Sequence, residues 1–131
     1  MENGKTENEI ELFDVEVGED KPQVTAKTVV IEDIRQEEVN FGNDKSNKLV
    51  LVVKHPDIQD TLEISGAECR YGDKIKSSGL WLKLDSENKL PYNCAVAQLL
   101  RHKGKGKVRD LKGEQIETVT DQKGYLQVKA Y

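Results

Sequence analysis

The sequence predicts an all-β fold with one helix: a small five-stranded barrel, the helix lying between strands three and four, with a possible extra strand. Three observations predict it. From Val24 onward, segments rich in β-branched and aliphatic residues alternate with period two or run continuously apolar. Only one stretch, Asn93 to Lys103, carries apolar residues at helical spacing. The last third, Gly79 to Tyr131, then orders an alternating segment, that helix, a basic glycine-rich loop and two alternating segments joined by a turn, which is how small closed barrels end.

Val24, Ala26, Val29, Val30, Ile31 and Ile34 form a long first strand, and the change from even to odd apolar positions predicts a bulge or strong coiling midway along it. Val39 to Asn47, with Gly42-Asn43-Asp44 and Ser46-Asn47, reads as a loop. Leu49 to Val53 is a continuous apolar run, suited to an enclosed strand that Pro56 and Asp57 end. Thr61 to Ser65 alternates again, with Leu62 and Ile64 on one side and Gly66 inviting a bulge. Polar Arg70 to Ser78 reads as a connection. Leu80, Leu82 and Leu84 then face the core, which turns Trp81 and Lys83 outward.

The helix is announced by several agreeing signals. Asn93 is a good N-cap behind the extended Pro91, and Val96, Leu99 and Leu100 make one apolar face. Arg101, His102 and Lys103 complement the negative helix end, and Gly104 suits a left-handed C-cap. So short a helix is stable only when docked, and it is expected to plug one end of the barrel. Ile116 belongs to the fourth strand. Leu126, Val128 and Ala130 line the fifth, leaving Tyr125, Gln127, Lys129 and Tyr131 outward, with Gly124 supplying the positive φ of a short hairpin loop.

Charge divides the chain. Residues 1 to 20 carry eight acids and one base, so this acidic leader holds a charge of -7 within a total of -4, and residues 21–131 form a single, mildly basic domain at +3. The early leader, Met1 to Glu7, lacks apolar residues that would repay ordering and is expected to be disordered. Ile10, Leu12, Val15 and Val17 leave three readings open for the rest: a solvating tail, an extra strand, or a segment over residues 9–17 that docks a protein partner. No apolar run approaches the roughly 20 residues that span a bilayer, and no secretory profile opens the chain, so no membrane and a cytoplasmic location are expected. Cys69 and Cys94 stand alone in sequence and read as free, buried or half-buried thiols.

Two constellations carry chemistry. Outward Trp81 and Tyr125, with Phe41, offer rings on which bases stack, while Lys83 and Lys129 lie beside them to neutralise phosphate. Between Arg101 and Arg109, the residues Lys103, Lys105, Lys107 and Arg109 alternate with glycines in a loop able to grip a phosphate backbone, or simply to cap the helix in solvent. This is not a P-loop, because Arg101 stands where its first glycine belongs and Val108 where magnesium needs Ser or Thr. The charge split motivates the hypothesis that the acidic leader lies across this loop in the free protein and is displaced by nucleic acid. His55-Pro56-Asp57 matches the J-domain tripeptide but sits between strand patterns, where it reads as a strand end and a turn. The scattered His55, Cys69, Cys94 and His102 give no zinc spacing, and no nucleophile comes with a base. No catalytic residue, metal or cofactor is expected.

Gly79-Leu80-Trp81-Leu82, Asn93 to Leu100, Asp110-Leu111-Lys112-Gly113 and Gly124-Tyr125-Leu126 together resemble the closing part of small OB-fold (oligonucleotide/oligosaccharide-binding) proteins of archaeal, phage and replication type. The resemblance covers about residues 79–131, and 22–66 by strand pattern alone. It implies an OB-like barrel with a binding face over strands two and three, flanked by Asn40 to Asn47 and by the hairpin Asp121 to Gly124. Leu49 to Val53 and Thr61 to Ser65 depart from it in lacking aromatic residues. The expected function is therefore binding of single-stranded DNA or RNA through Trp81, Lys83, Lys103, Lys105, Lys107, Arg109, Tyr125, Lys129 and Phe41. The alternative is an OB-fold protein-interaction module.

Overall fold

The computed structural model describes Phe13 and residues 24–131. Apart from Phe13, the acidic leader, its extra strand and its docking segment lie outside the described residues. What is described is mostly β, with a single short α-helix, and is barrel-like.

Strand β1 (Val29–Phe41) pairs antiparallel with β2 (Asp44–Lys54) along its whole length. A bulge is present, but not where the even-to-odd change lies, since Val24 to Thr28 precede the strand: the register steps from Ile31 opposite Val53 to Asp33 opposite Val52, leaving Glu32 unpaired. The expected loop over Val39 to Asn47 is corrected. Only Gly42 and Asn43 leave the ladder, and Gly42, at φ 61°, takes the first place of the tight turn. Polar composition suggested a loop because this outer half of the ribbon is exposed on both faces, so its ladder carries no apolar alternation.

Chain order continues with β3 (Leu62–Ile64), β4 (Gly66–Tyr71) and β5 (Lys74–Gly79), then after the helix β6 (Gln115–Ile116), β7 (Thr118–Thr120) and β8 (Leu126–Lys129). Two four-stranded sheets result, in the orders β3-β2-β1-β6 and β5-β4-β8-β7, with β8 running parallel to β4. Single residues, Ser65 and Glu117, separate β3 from β4 and β6 from β7, so the same stretches of chain serve both sheets.

Two further expectations are corrected. Arg70 to Ser78 is no simple connection: β4 and β5 make a hairpin about Gly72, whose φ of 65° a side chain would resist. Leu80 to Leu84 is no strand. It makes one bridge, Trp81 to Lys48, with Leu49 N donating to Leu80 O at 2.7 Å and Leu82 N to Asn47 O at 2.8 Å. The alternation then decays outward, from fully buried Leu80 through half-buried Leu82 to Leu84, which is 52% exposed.

Helix α1 (Ala95–His102) buries Val96, Leu99 and Leu100, as its spacing predicts. Its N-cap is Cys94 rather than Asn93, the thiol Sγ accepting from Ala97 N at 3.4 Å. Beyond it Gly104 adopts φ 68°, the left-handed end. The helix lies against β4, where the Arg70 N–H donates to Gln98 Oε1 at 3.1 Å, and its apolar face joins Ile31, Leu51, Leu80, Ile116 and Val128 in one core. Among the described residues no helix is long and apolar enough to cross a membrane.

Candidate nucleic-acid interface

The site begins with a missing Cβ. At the end of β5, Gly79 lies so close beneath the Trp81 indole that a Cβ there would stand 2.7 Å from Nε1. Glycine thus lets the ring settle over the backbone rather than swing free. From the far end of β1 comes Phe41, its centroid 5.6 Å from the indole and tilted by 55°, a tilted arrangement in the range favoured by aromatic pairs. On β2, Lys48 is bridged to Trp81 through the backbone and holds its ammonium 5.0 Å from the ring centroid. Trp81 is half-buried by these neighbours, whereas Phe41 stays 54% exposed.

Lys48 and Gly79 also line a groove of about 630 Å³, whose other wall is the hairpin between β7 and β8. Tyr125 lines that wall and is 69% exposed. Its position is set by Asp121, whose Oδ1 accepts the N–H groups of Lys123 at 2.8 Å and Tyr125 at 2.9 Å, with Gly124 at φ 86°. Between the walls, Ser77 Oγ donates to Gln127 Oε1 at 2.8 Å, and Leu62 and Leu126 supply apolar surface. Of the two acids that line the groove, Asp121 is spent on the Lys123 and Tyr125 N–H groups and Glu63 is countered from β1: Arg35 Nη2 lies 2.8 Å from its Oε1, and the hydrogen bonds to Glu63 and Glu37 raise the guanidinium above its usual value.

Val24, at the start of the described chain, touches the same groove. The segment behind it is fastened by His55, which is fully buried, donates from Nε2 to Thr25 O at 2.7 Å and accepts the Asp57 N–H on Nδ1 at 3.0 Å. The His55-Pro56-Asp57 tripeptide is thus a strand end and turn as expected, but its imidazole is a fastening inside the fold. Lys27 adds an ion pair to Asp57 at 2.6 Å, and that hydrogen bond holds the carboxyl below its usual range.

The residues proposed from sequence therefore divide. Tyr125 alone of the three rings lines the groove; Trp81, with Phe41 against it, stands next to the groove on Gly79 and Lys48, which do line it. Lys83 follows Trp81 and is exposed, outside the groove lining. None of Lys103, Lys105, Lys107, Arg109 or Lys129 lines it either. Lys103 is the helix C-cap, Lys105 pairs with Glu114 at 3.3 Å, and Lys129 reaches Glu117 at 3.8 Å and the Tyr131 ring at 4.9 Å. Lys107 and Arg109 are exposed at the 3-10 turn Val108–Leu111. Lys48, Gly79 and Gln127 escaped the sequence reading because their roles depend on β2 lying beside Trp81 and β8 beside β4, and no spacing along the chain encodes those pairings. Both cysteines are free: Cys69 is buried, which pushes its thiol up, and Cys94 is half-buried. Among the described residues no group of three His, Cys, Asp or Glu gathers as a metal set. Comparison with family models, with curated proteins and with solved structures finds no match.

Proposed function

We propose that this chain is an OB-like barrel that binds single-stranded nucleic acid in the groove between Trp81 and Tyr125. One observation carries the reading. Tyr125 lines one wall of a groove whose other wall holds Lys48 and Gly79, and Trp81, with Phe41 packed against it, sits directly on those two residues, while Glu63 in the groove is countered by Arg35. Bases stack on such rings whatever their identity, and a lysine beside them meets phosphate. The strand pairings favour the OB reading: with β3 and β4 counted as one bent strand and β6 and β7 as another, they run β1, β2, β3/β4, β8, β7/β6 and back to β1. In that order the groove falls beside the second and third strands and the last hairpin, where OB barrels take oligonucleotides.

The test is Trp81 fluorescence during titration with oligo-dT and oligo-U at low and raised salt. Quenching that weakens with salt is expected, and Tyr125→Ala should weaken binding by about 5-fold to 150-fold, the equivalent of one lost stacking contact. A flat titration at low salt rejects the proposal. A second reading, a protein-interaction module, is favoured by an apolar recess of about 460 Å³ among Ile34, Leu49, Leu82, Leu84 and Val108. That reading expects the flat titration, and Leu84→Asp to abolish protein capture while leaving oligonucleotide behaviour unchanged.

A further inference from the structure

A second cleft, sharing no lining residue with the groove, lies between the end of β4, helix α1 and Tyr131, with a volume of about 460 Å³. Arg70 comes to it from the strand, Arg101 and His102 from the last turn of the helix, and Asn93 from the residues before it. We infer that this cleft is a binding site for a phosphate dianion, free or esterified at the end of a strand.

The two guanidinium groups carry the inference. Among the described residues neither lies within ion-pair distance of a carboxylate, whereas Arg35 has two such partners. Each is instead held by a main-chain carbonyl. Arg70 Nε donates to Gly72 O at 3.1 Å, and Arg101 Nη1 donates to Tyr92 O at 2.6 Å while its guanidinium lies 3.8 Å from the Tyr92 ring centroid. One N–H of each fork is spent on this positioning and the other donors remain for a ligand. The nearby acids are engaged: Glu68 accepts from Tyr131 Oη at 2.6 Å, and Glu117 pairs with Lys129. Beneath, the buried Gln98 fixes the Arg70 main chain.

Two forks from different elements line the one cleft. A carboxylate fills one fork, but a phosphate dianion offers oxygens to two forks on different elements at once. His102 supplies a third polar group; partial burial and Lys103 hold its imidazole below the ordinary value, so near neutral pH it is an uncharged donor. The negative end of the helix opposes an anion here, yet only as about half a unit charge against two full ones.

The experiment follows the imidazole signals of the whole protein by NMR as a function of pH. It uses millimolar inorganic phosphate, a 5′-phosphorylated oligo-dT and its 5′-hydroxyl form, each against chloride at equal ionic strength. Phosphate should raise the His102 pKa by about half a unit or more, as a nearby dianion must, while buried His55 serves as the reference signal. A shift with inorganic phosphate identifies a site for the free ion; a shift confined to the 5′-phosphorylated strand identifies a strand end. Arg70→Gln should weaken the effect at least tenfold, and Arg70→Lys, which keeps charge but loses the fork, should restore only part of it. No shift beyond chloride in either phosphate arm overturns the inference, as does a full shift in Arg70→Gln. The groove is read separately by Trp81, so a 5′-phosphorylated strand that quenches Trp81, when neither it nor inorganic phosphate moves His102, overturns this site alone.

Discussion

Gly79→Ala is the sharpest probe of the groove, because it adds one methyl group and no charge. The new Cβ would stand 2.7 Å from Trp81 Nε1, 3.1 Å from Lys48 Cε and 3.2 Å from Trp81 Cδ1. Ordinary contact begins near 3.4 Å, so the indole must retreat by about 0.7 Å, the difference of the two distances. It cannot retreat freely, since Phe41 packs at 5.6 Å and the Trp81 backbone is bridged to β2. Either the ring leaves its seat or the chain carries overpacking strain of about 1 to 3 kcal/mol. Trp81 fluorescence, together with the ring-current shifts of Phe41 protons, reports which. The expected result is a red-shifted emission, lost Phe41 shifts, and an oligonucleotide affinity that falls with them. Unchanged emission and unchanged stability would show that Gly79 does not seat the indole, and the account of the site would fail at its first step.

Other consequences are as direct. His55→Ala removes two hydrogen bonds worth about 1 kcal/mol each and leaves a cavity in the fold, about 3 kcal/mol together; the urea midpoint should drop by about 2 M at a typical slope, and a drop under about 0.5 M would refute the fastening role. Of the two thiols, Cys94 should react with a disulfide reagent in the native state, whereas Cys69, fully buried and with its thiol pushed up by that burial, should react only on unfolding; equal native rates would contradict this. Hydrogen bonding to Glu68 raises the Tyr131 phenol above its ordinary value, so the bond's contribution is complete below about pH 10 and is lost as pH rises through the raised value. Phenolate absorbance, taken as the difference from Tyr131→Phe, should show that late titration, and Glu68→Gln should return it toward normal.

The contrast between what the sequence revealed and what it hid follows from where information is stored. Val96, Leu99, Leu100 and Gly104 announced the helix because its packing face and its left-handed end are local properties. A bulge was legible only in kind: the even-to-odd change that suggested it lies between Ala26 and Val29, before the strand, whereas the unpaired Glu32 falls where the phase steps back from Ile31 to Ile34. Two elements failed where polarity and structure parted company. The ribbon end around Phe41 and strand β5 are largely exposed, so their ladders are held by backbone bonds and leave little period-two trace. Leu80, Leu82 and Leu84 misled in the opposite sense, showing the alternation of a strand while only Leu80 is fully buried, Leu82 packs on the core's edge and Leu84 is exposed. The aromatic members of the site were found as exposed rings in sequence. Their convergence, and the part of Lys48, required the tertiary pairings.

The separation of groove from basic loop changes what salt dependence must reveal. Arg101, Lys103, Lys105, Lys107 and Arg109 looked like the phosphate grip of a stacking platform, yet none of them lines the groove that Tyr125 lines. Surface charges act over a Debye length of about 8 Å at physiological salt, so loop lysines beyond that distance neutralise nothing in the groove. Single strands lose affinity with a logarithmic slope of about -0.7 for each phosphate neutralised. A strand confined to the groove, with Lys48 as its main cation, should therefore show a slope near -1. One that runs on to the loop and engages three or four more bases should show about -3. Substituting Lys103, Lys105 and Lys107 together must flatten the steep slope and leave the shallow one untouched. The shallow result would make the loop a helix cap and solvent surface, and would leave aromatic stacking as the chief source of affinity.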